Sequence, residues 1–246
     1  MEIKKLTLTG YTPRMVIAFP GLQKTGKSHF ALTAPKGMFY ANFDKQSRED
    51  VLPKFQGQFI RAEDYWITDY TDKVEAKKLL DRFWADFHDA LATAEVRSIV
   101  VDTTTELRRV ILSSVWGKDN QLKGYQYTPA HDKIRELVSH VNTSDKNVIF
   151  VHQMKKEYKA IVTPKGEDSI WTGRYELAGF DGITYLSQVN MVSYRVAGSN
   201  PTEFGVRVVE CSLNREIEGL ELEGEMSNFP TLASLVFPES DMEDWV

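Results

Sequence analysis

This sequence has little that would suit an extracellular, membrane-spanning or metal-cluster protein. Its 246 residues include one cysteine, Cys211, so no intrachain disulfide can form. No apolar run approaches the roughly 20 residues that a membrane helix needs. The opening residues Met1 to Lys5 lack the apolar core of a secretory signal. The five histidines, at 29, 88, 131, 140 and 152, stand in no metal-ligand spacing with Cys211. Positive charge is also scarce. Lys and Arg number 30 against 35 Asp and Glu, a net charge of −5, so contact with nucleic acid would need a local patch or several subunits. Neither internal repeats nor a Gly/Ser linker is visible. The expectation is a soluble cytoplasmic protein with no membrane partner.

A hydrophobic content of 42% with 11% aromatics is ordinary for a folded globular chain. Residues 14–19 form an apolar run stopped by Pro20 and Gly21, which predicts a buried strand entering a turn. A helix is expected from Lys27 to about Thr33 and a second strand over 37–44. Apolar residues at near-helical spacing predict an amphipathic helix over 74–94. A third strand, 98–102, ends on Asp102. Helices over 105–116 and 128–142 and a strand over 147–151 complete the alternation. That alternation predicts a mostly parallel sheet with helices on both faces. Later segments (157–163, 183–196, 204–213 and 216–223) favour strands with short connections, expected to extend the sheet in antiparallel fashion. The acidic tail from Pro238 to Val246 is expected to be mobile.

The sharpest chemical signal is Gly21-Leu22-Gln23-Lys24-Thr25-Gly26-Lys27-Ser28, a full match to G-x-x-x-x-G-K-[ST], with His29 next in line. Glycines let the backbone curl so that successive amides face phosphate oxygens. Lys27 would reach the β- and γ-phosphates, and the Ser28 hydroxyl would ligate Mg²⁺. Asp102, ending the run Ile99-Val100-Val101, is placed to hold the same ion. Two carboxylates compete to orient an attacking water: Asp44, ending the second strand, and Glu106, in the first turn of the next helix. His152 and Gln153, closing the fourth strand, are a polar pair placed to sense the γ-phosphate. The guanine-reading pattern Asn-Lys-x-Asp is absent, which tilts the nucleotide toward ATP.

The order of these parts resembles the RecA-like recombinase core, and in particular the short phage-encoded RecA-core proteins that act in single-strand annealing. The resemblance is carried by residues 19–28, 39–44, 99–107 and 148–153, with weaker likeness at 185–194 and 206–215. It implies a RecA-like P-loop ATPase core over 1–225, followed by a C-terminal extension with an acidic tail over 226–246. It also implies Asp44 as the catalytic carboxylate and Gln153 as the phosphate-sensing glutamine. Arg215, or Lys155 or Lys156, would act across a subunit boundary as an arginine finger does. Partners implied are single-stranded DNA, further copies of the chain and a single-stranded-DNA-binding protein, with a host cytoplasm as the location.

Residues 154–174 carry a local balance of +2, with aromatic residues interleaved or adjacent. Lys155, Lys156, Lys159, Lys165, Trp171 and Arg174 are therefore the DNA-contact candidates, since cations track a backbone while aromatics stack bases. Two other readings stand beside DNA annealing and recombination. One is a small-molecule or nucleotide kinase with the same cradle, which the single Arg of 154–174 disfavours as a lid. The other is an assembly module that binds ATP without turning it over.

Overall fold

The apolar run at the start of the reading becomes β1 (Val16–Gly21), buried at all six positions. In the computed structural model, which describes residues 13–163 and 166–246, this strand lies inside one sheet. The other strands are β2 (Met38–Asn42), β3 (Phe59–Asp64), β4 (Ser98–Asp102), β5 (Asn147–Thr163), β6 (Gly166–Leu177), β7 (Val189–Arg195), β8 (Phe204–Cys211) and β9 (Glu221–Glu223). Their order is β3-β2-β4-β5-β1-β7-β8-β9, with β6 paired to β5 off that path. Every ladder from β3 to β7 is parallel, while β8, β9 and β6 join antiparallel. The expected α/β architecture, a mostly parallel sheet with flanking helices and later antiparallel strands, is the one observed.

The helices are α1 (Lys27–Ala31), α2 (Lys45–Asp50), α3 (Lys73–Ala92), α4 (Thr104–Trp116), α5 (Thr128–Asn142), α6 (Gly182–Leu186) and α7 (Phe229–Val236). Successive strand residues point to opposite faces, so each central strand feeds two cores. Val16, Ala18, Phe39, Val101 and Phe150 pack with Phe83, Phe87, Val110 and Leu137 of α3, α4 and α5. Ile17, Phe19, Tyr40, Val100 and Ile149 pack with Phe30 of α1 and Phe229 and Leu232 of α7. Both faces are thereby covered, which is why the central strands are unbroken apolar runs. Among the described residues no helix is long and apolar enough to cross a membrane.

Four points differ from the expectations. The segment from 183 opens with α6 before β7 begins, and only 221–223 of the 216–223 stretch is strand. The edge strand β3 had no counterpart in the sequence reading, because its half-exposed residues Phe59-Ile60-Arg61-Ala62-Glu63-Asp64 form no apolar run. The acidic tail, expected to be mobile, is docked. Trp245 is 4% exposed, stacked on Phe237 at 5.4 Å and near Phe229 at 6.1 Å. Arg97 donates to the Asp244 carbonyl at 2.7 Å. Aromatic burial outweighs the acidic composition of the segment, whose charged groups stay in water.

Candidate nucleotide site

The C-terminal ends of the parallel strands converge on residues 21–28. β1 delivers Gly21 in register with Gln153 of β5 on one side and Ser193 of β7 on the other. A Cβ at Gly21 would stand 1.9 Å from Ser193 Oγ and 2.9 Å from Thr25 Oγ1, so a side chain here would displace the hydroxyls that meet beside it. Lys24 and Gly26 take φ of 55° and 81°, the curl that turns amides inward. A Cβ on Gly26 would also press on Phe204, at 3.0 Å, where β8 begins.

Side chains hold this loop. Thr25 Oγ1 donates to the Leu22 carbonyl at 2.8 Å, which commits its proton, so Ser193 Oγ is the donor in their 2.6 Å contact. Arg195 Nε donates to the Lys24 carbonyl at 2.9 Å. Lys27 Nζ donates to the Leu22 carbonyl. Burial pulls the Lys27 ammonium below the ordinary lysine range, while the charges of Asp102 and Asp44 oppose that shift. A half-buried ammonium resting on a carbonyl is suited to exchange that partner for phosphate oxygens.

Asp102 ends β4, separated from β1 by β5. Ser28 Oγ donates to Asp102 Oδ2 at 2.6 Å. Burial pushes the Asp102 carboxyl above the ordinary carboxylate range. Hydroxyl donation from Ser28 and Tyr40 pushes it back, Asp44 adds to the rise, and Lys27 offsets it. A hydroxyl and a carboxylate in contact form the hard-oxygen set that suits Mg²⁺, which takes few protein ligands and completes its shell with phosphates and water. Ser28 and Asp102 would hold that ion, which would neutralise charge on the phosphates.

The two competing carboxylates have different surroundings. Asp44 caps α2, with Oδ1 accepting from the Gln46 amide at 3.1 Å, and it acts electrostatically on both Lys27 and Asp102. Glu106 is held by three donors: Tyr70 Oη at 2.7 Å, Arg109 at 2.8 Å and Gln153 Nε2 at 3.4 Å. The structure thus brings Gln153 to Glu106, and the Gln153 amide also donates to Thr105 Oγ1 at 3.0 Å. His152, in register with Pro20, is 1% exposed, and neither ring nitrogen has a hydrogen-bond partner. His29 is exposed and meets Phe55 edge-on at 5.0 Å.

Arg215 lies far from its own cradle. β8 starts beside Gly26 at Phe204 and runs antiparallel to β7, so Cys211 pairs with Val189 at the opposite end of the strands. Arg215 follows there, exposed, with no reach to the phosphate loop of the same chain. Tyr40, Ser47, Ser193, Arg195 and Phe204 take part in the site without a local sequence signal. Their roles come from contacts between segments distant in the chain, which no single segment encodes.

The DNA-contact candidates are also sorted by the structure. The outer half of β5 pairs with β6 as a hairpin, with Lys156 opposite Tyr175 and Tyr158 opposite Trp171. Directly opposed residues share a face, so these four form one surface, with Lys156 Nζ 5.0 Å from the Trp171 ring centre. Lys155 and Lys159 fall on the other face, and Lys155 pairs with Glu176 at 3.1 Å. Arg174 sits in the irregular stretch after Gly173 and lends its carbonyl to Trp171 Nε1 at 3.1 Å. Lys165 lies outside the described residues.

No curated protein matches the chain. Among solved structures it is similar to a KaiC-like protein from the hyperthermophilic archaeon Pyrococcus horikoshii, with 11% identity and a TM-score of 0.49, over 86% of this chain and 85% of that one. Residues 13–171 match the AAA domain, a span that takes in the cradle, Asp44, Asp102, Glu106 and Gln153. On that match the chain belongs to the AAA domain family of P-loop ATPases.

Proposed function

We propose that this protein is a Mg²⁺-dependent ATPase that binds single-stranded DNA and promotes annealing or strand pairing in recombination, working as a homo-oligomer. The observation that carries the reading is the continuity of β5. Its inner half lies against β1 in the sheet and places Gln153 beside Gly21, while its outer half forms the hairpin. One strand therefore joins the phosphate loop to an exposed surface of Lys156, Tyr158, Trp171 and Tyr175. The aromatics there are 56%, 46% and 41% exposed for Tyr158, Trp171 and Tyr175. Burial does not explain rings left in water, whereas unpaired bases offer π-faces to stack on them.

In this reading Lys27 and the loop amides bind the triphosphate, and Asp44 orients the attacking water. Gln153 reports the γ-phosphate to the hairpin through its position in β5, and Arg215 meets a neighbouring subunit's nucleotide. A single-stranded-DNA-binding protein is a further partner of the assembly.

ATP turnover measured with and without a poly-dT oligonucleotide at low salt tests the proposal. We expect single strands to raise the rate and Asp44→Asn to keep nucleotide binding while turnover drops by orders of magnitude. Turnover that ignores DNA would sink the nucleic-acid half of the proposal and leave the ATPase half standing.

A further inference from the structure

The magnesium carboxylate is held from below by a side chain that no phosphate-loop motif contains. Asp102 is 1% exposed, and three hydroxyls converge on its Oδ2: Ser28 at 2.6 Å, Ser47 at 3.3 Å, and Tyr40 through a short bond. Among the described residues no donor reaches Oδ1. A carboxylate gripped on one oxygen only has a fixed plane and a fixed free lone-pair face. Tyr40 is fully buried on β2, two residues before Asn42, which stands in register with Asp102. Residues two apart in a strand share a face, so the phenol lies along the sheet surface and its hydroxyl meets Asp102 at the strand end.

We propose that Tyr40 is a positioning residue for the metal site, orienting Asp102 so that its other oxygen faces the bound Mg²⁺. The inference rests on the Mg²⁺-nucleotide reading above. A buried hydroxyl must find an acceptor, yet Tyr40 has been given one that is itself a candidate ligand. Outer partners of metal ligands fix ligand orientation and tune affinity. Ser47 extends the arrangement to the second functional carboxylate. It is the third residue of α2, its amide bonds the Asp44 carbonyl at 3.1 Å, and Asp44 caps that helix. The contact of Ser47 with Asp102 therefore ties the water-orienting element to the metal-holding one.

The test is calorimetric binding of a non-hydrolysable ATP analogue across a Mg²⁺ titration, with an EDTA arm. Tyr40→Phe should raise the half-saturating Mg²⁺ concentration on the order of ten-fold, the low end of the effect of removing an outer partner. Its binding of metal-free nucleotide should stay within about two-fold of the native protein. Tyr65→Phe is the control, because it deletes an equally buried hydroxyl that donates to Asp86 at 2.6 Å, away from the cradle. Its Mg²⁺ profile should not move. Ser47→Ala, which removes the longer 3.3 Å contact on Oδ2, should shift the midpoint in the same direction by less and keeps the test open if Tyr40→Phe folds poorly. An unchanged midpoint in both variants, beside a clear Mg²⁺ requirement in the native protein, overturns the role of Tyr40. Absence of any Mg²⁺ requirement in the native protein overturns the Mg²⁺ reading itself, and this inference with it.

Discussion

His152 is the residue whose chemistry and surroundings disagree most. Burial alone pulls its pKa down to about 3, and neither nitrogen is bonded. The imidazole is therefore neutral in the folded protein at any working pH. In the unfolded chain it takes a proton near pH 6.5. A depressed folded value means that stability is full above the unfolded value and declines as pH falls below it. Between pH 7 and pH 5 this one group should cost about 2 kcal/mol of unfolding free energy. Urea denaturation at the two pH values should show that loss in the native protein and a flatter dependence in His152→Leu. Equal slopes in the two proteins would mean that the ring reaches solvent or a partner. The sequence signalled only that a polar pair closes the strand. That the histidine would be sealed off is a consequence of long-range assembly, since β5 lies between β4 and β1 inside the sheet.

At the scale of elements, local and contiguous signals were readable and cross-strand ones were not. β4 and α5 matched their expected ranges closely because each carries its own pattern: an apolar run, a helical stripe. The strands expected over 147–151 and 157–163 are joined in one 17-residue β5, a continuity that could not be read. Past Gln153 the residues change from apolar to mostly charged, with Lys155, Lys156, Glu157 and Lys159 around the one aromatic Tyr158, which marks a change of neighbours and leaves the strand unbroken. The hairpin also sorts side chains by face, a distinction invisible in a charge count. Trp171→Ala should weaken binding to a single-stranded oligonucleotide by about 1–3 kcal/mol, the usual value of one stacked base. Lys156→Ala should lower the slope of log affinity against log salt by about 0.7. Lys159→Ala, on the opposite face, should do neither. Fluorescence anisotropy over a salt series separates these cases, and a larger loss at Lys159 than at Trp171 would put the DNA on the other face.

For the whole molecule, the sheet divides the interior into two cores, and the C-terminal segment closes the one beneath the phosphate loop. Phe30 of α1 shares that core with Phe229 and Trp245, and the Phe229 amide donates to Thr33 Oγ1 at 2.8 Å just after α1. Composition pointed the other way, since the last nine residues hold four acidic groups and one tryptophan. The charges stay outside while a single large ring supplies the burial, so the indole carries most of the docking. Trp245→Ala should therefore destabilise the protein by about 3–5 kcal/mol, the range for emptying a buried aromatic site. Ligand binding adds RT ln(1 + [L]/Kd) to the stability of any fold that keeps the site, about 2.7 kcal/mol at a hundred-fold excess over Kd. Because β1, β7 and their side chains fix the loop from the sheet side, Trp245→Ala should keep this nucleotide-dependent increment although its baseline falls. Urea midpoints with and without Mg²⁺-nucleotide measure both quantities. A normal baseline would show that the tail is not part of the core, and a lost increment would show that the loop depends on the tail as well as on the sheet.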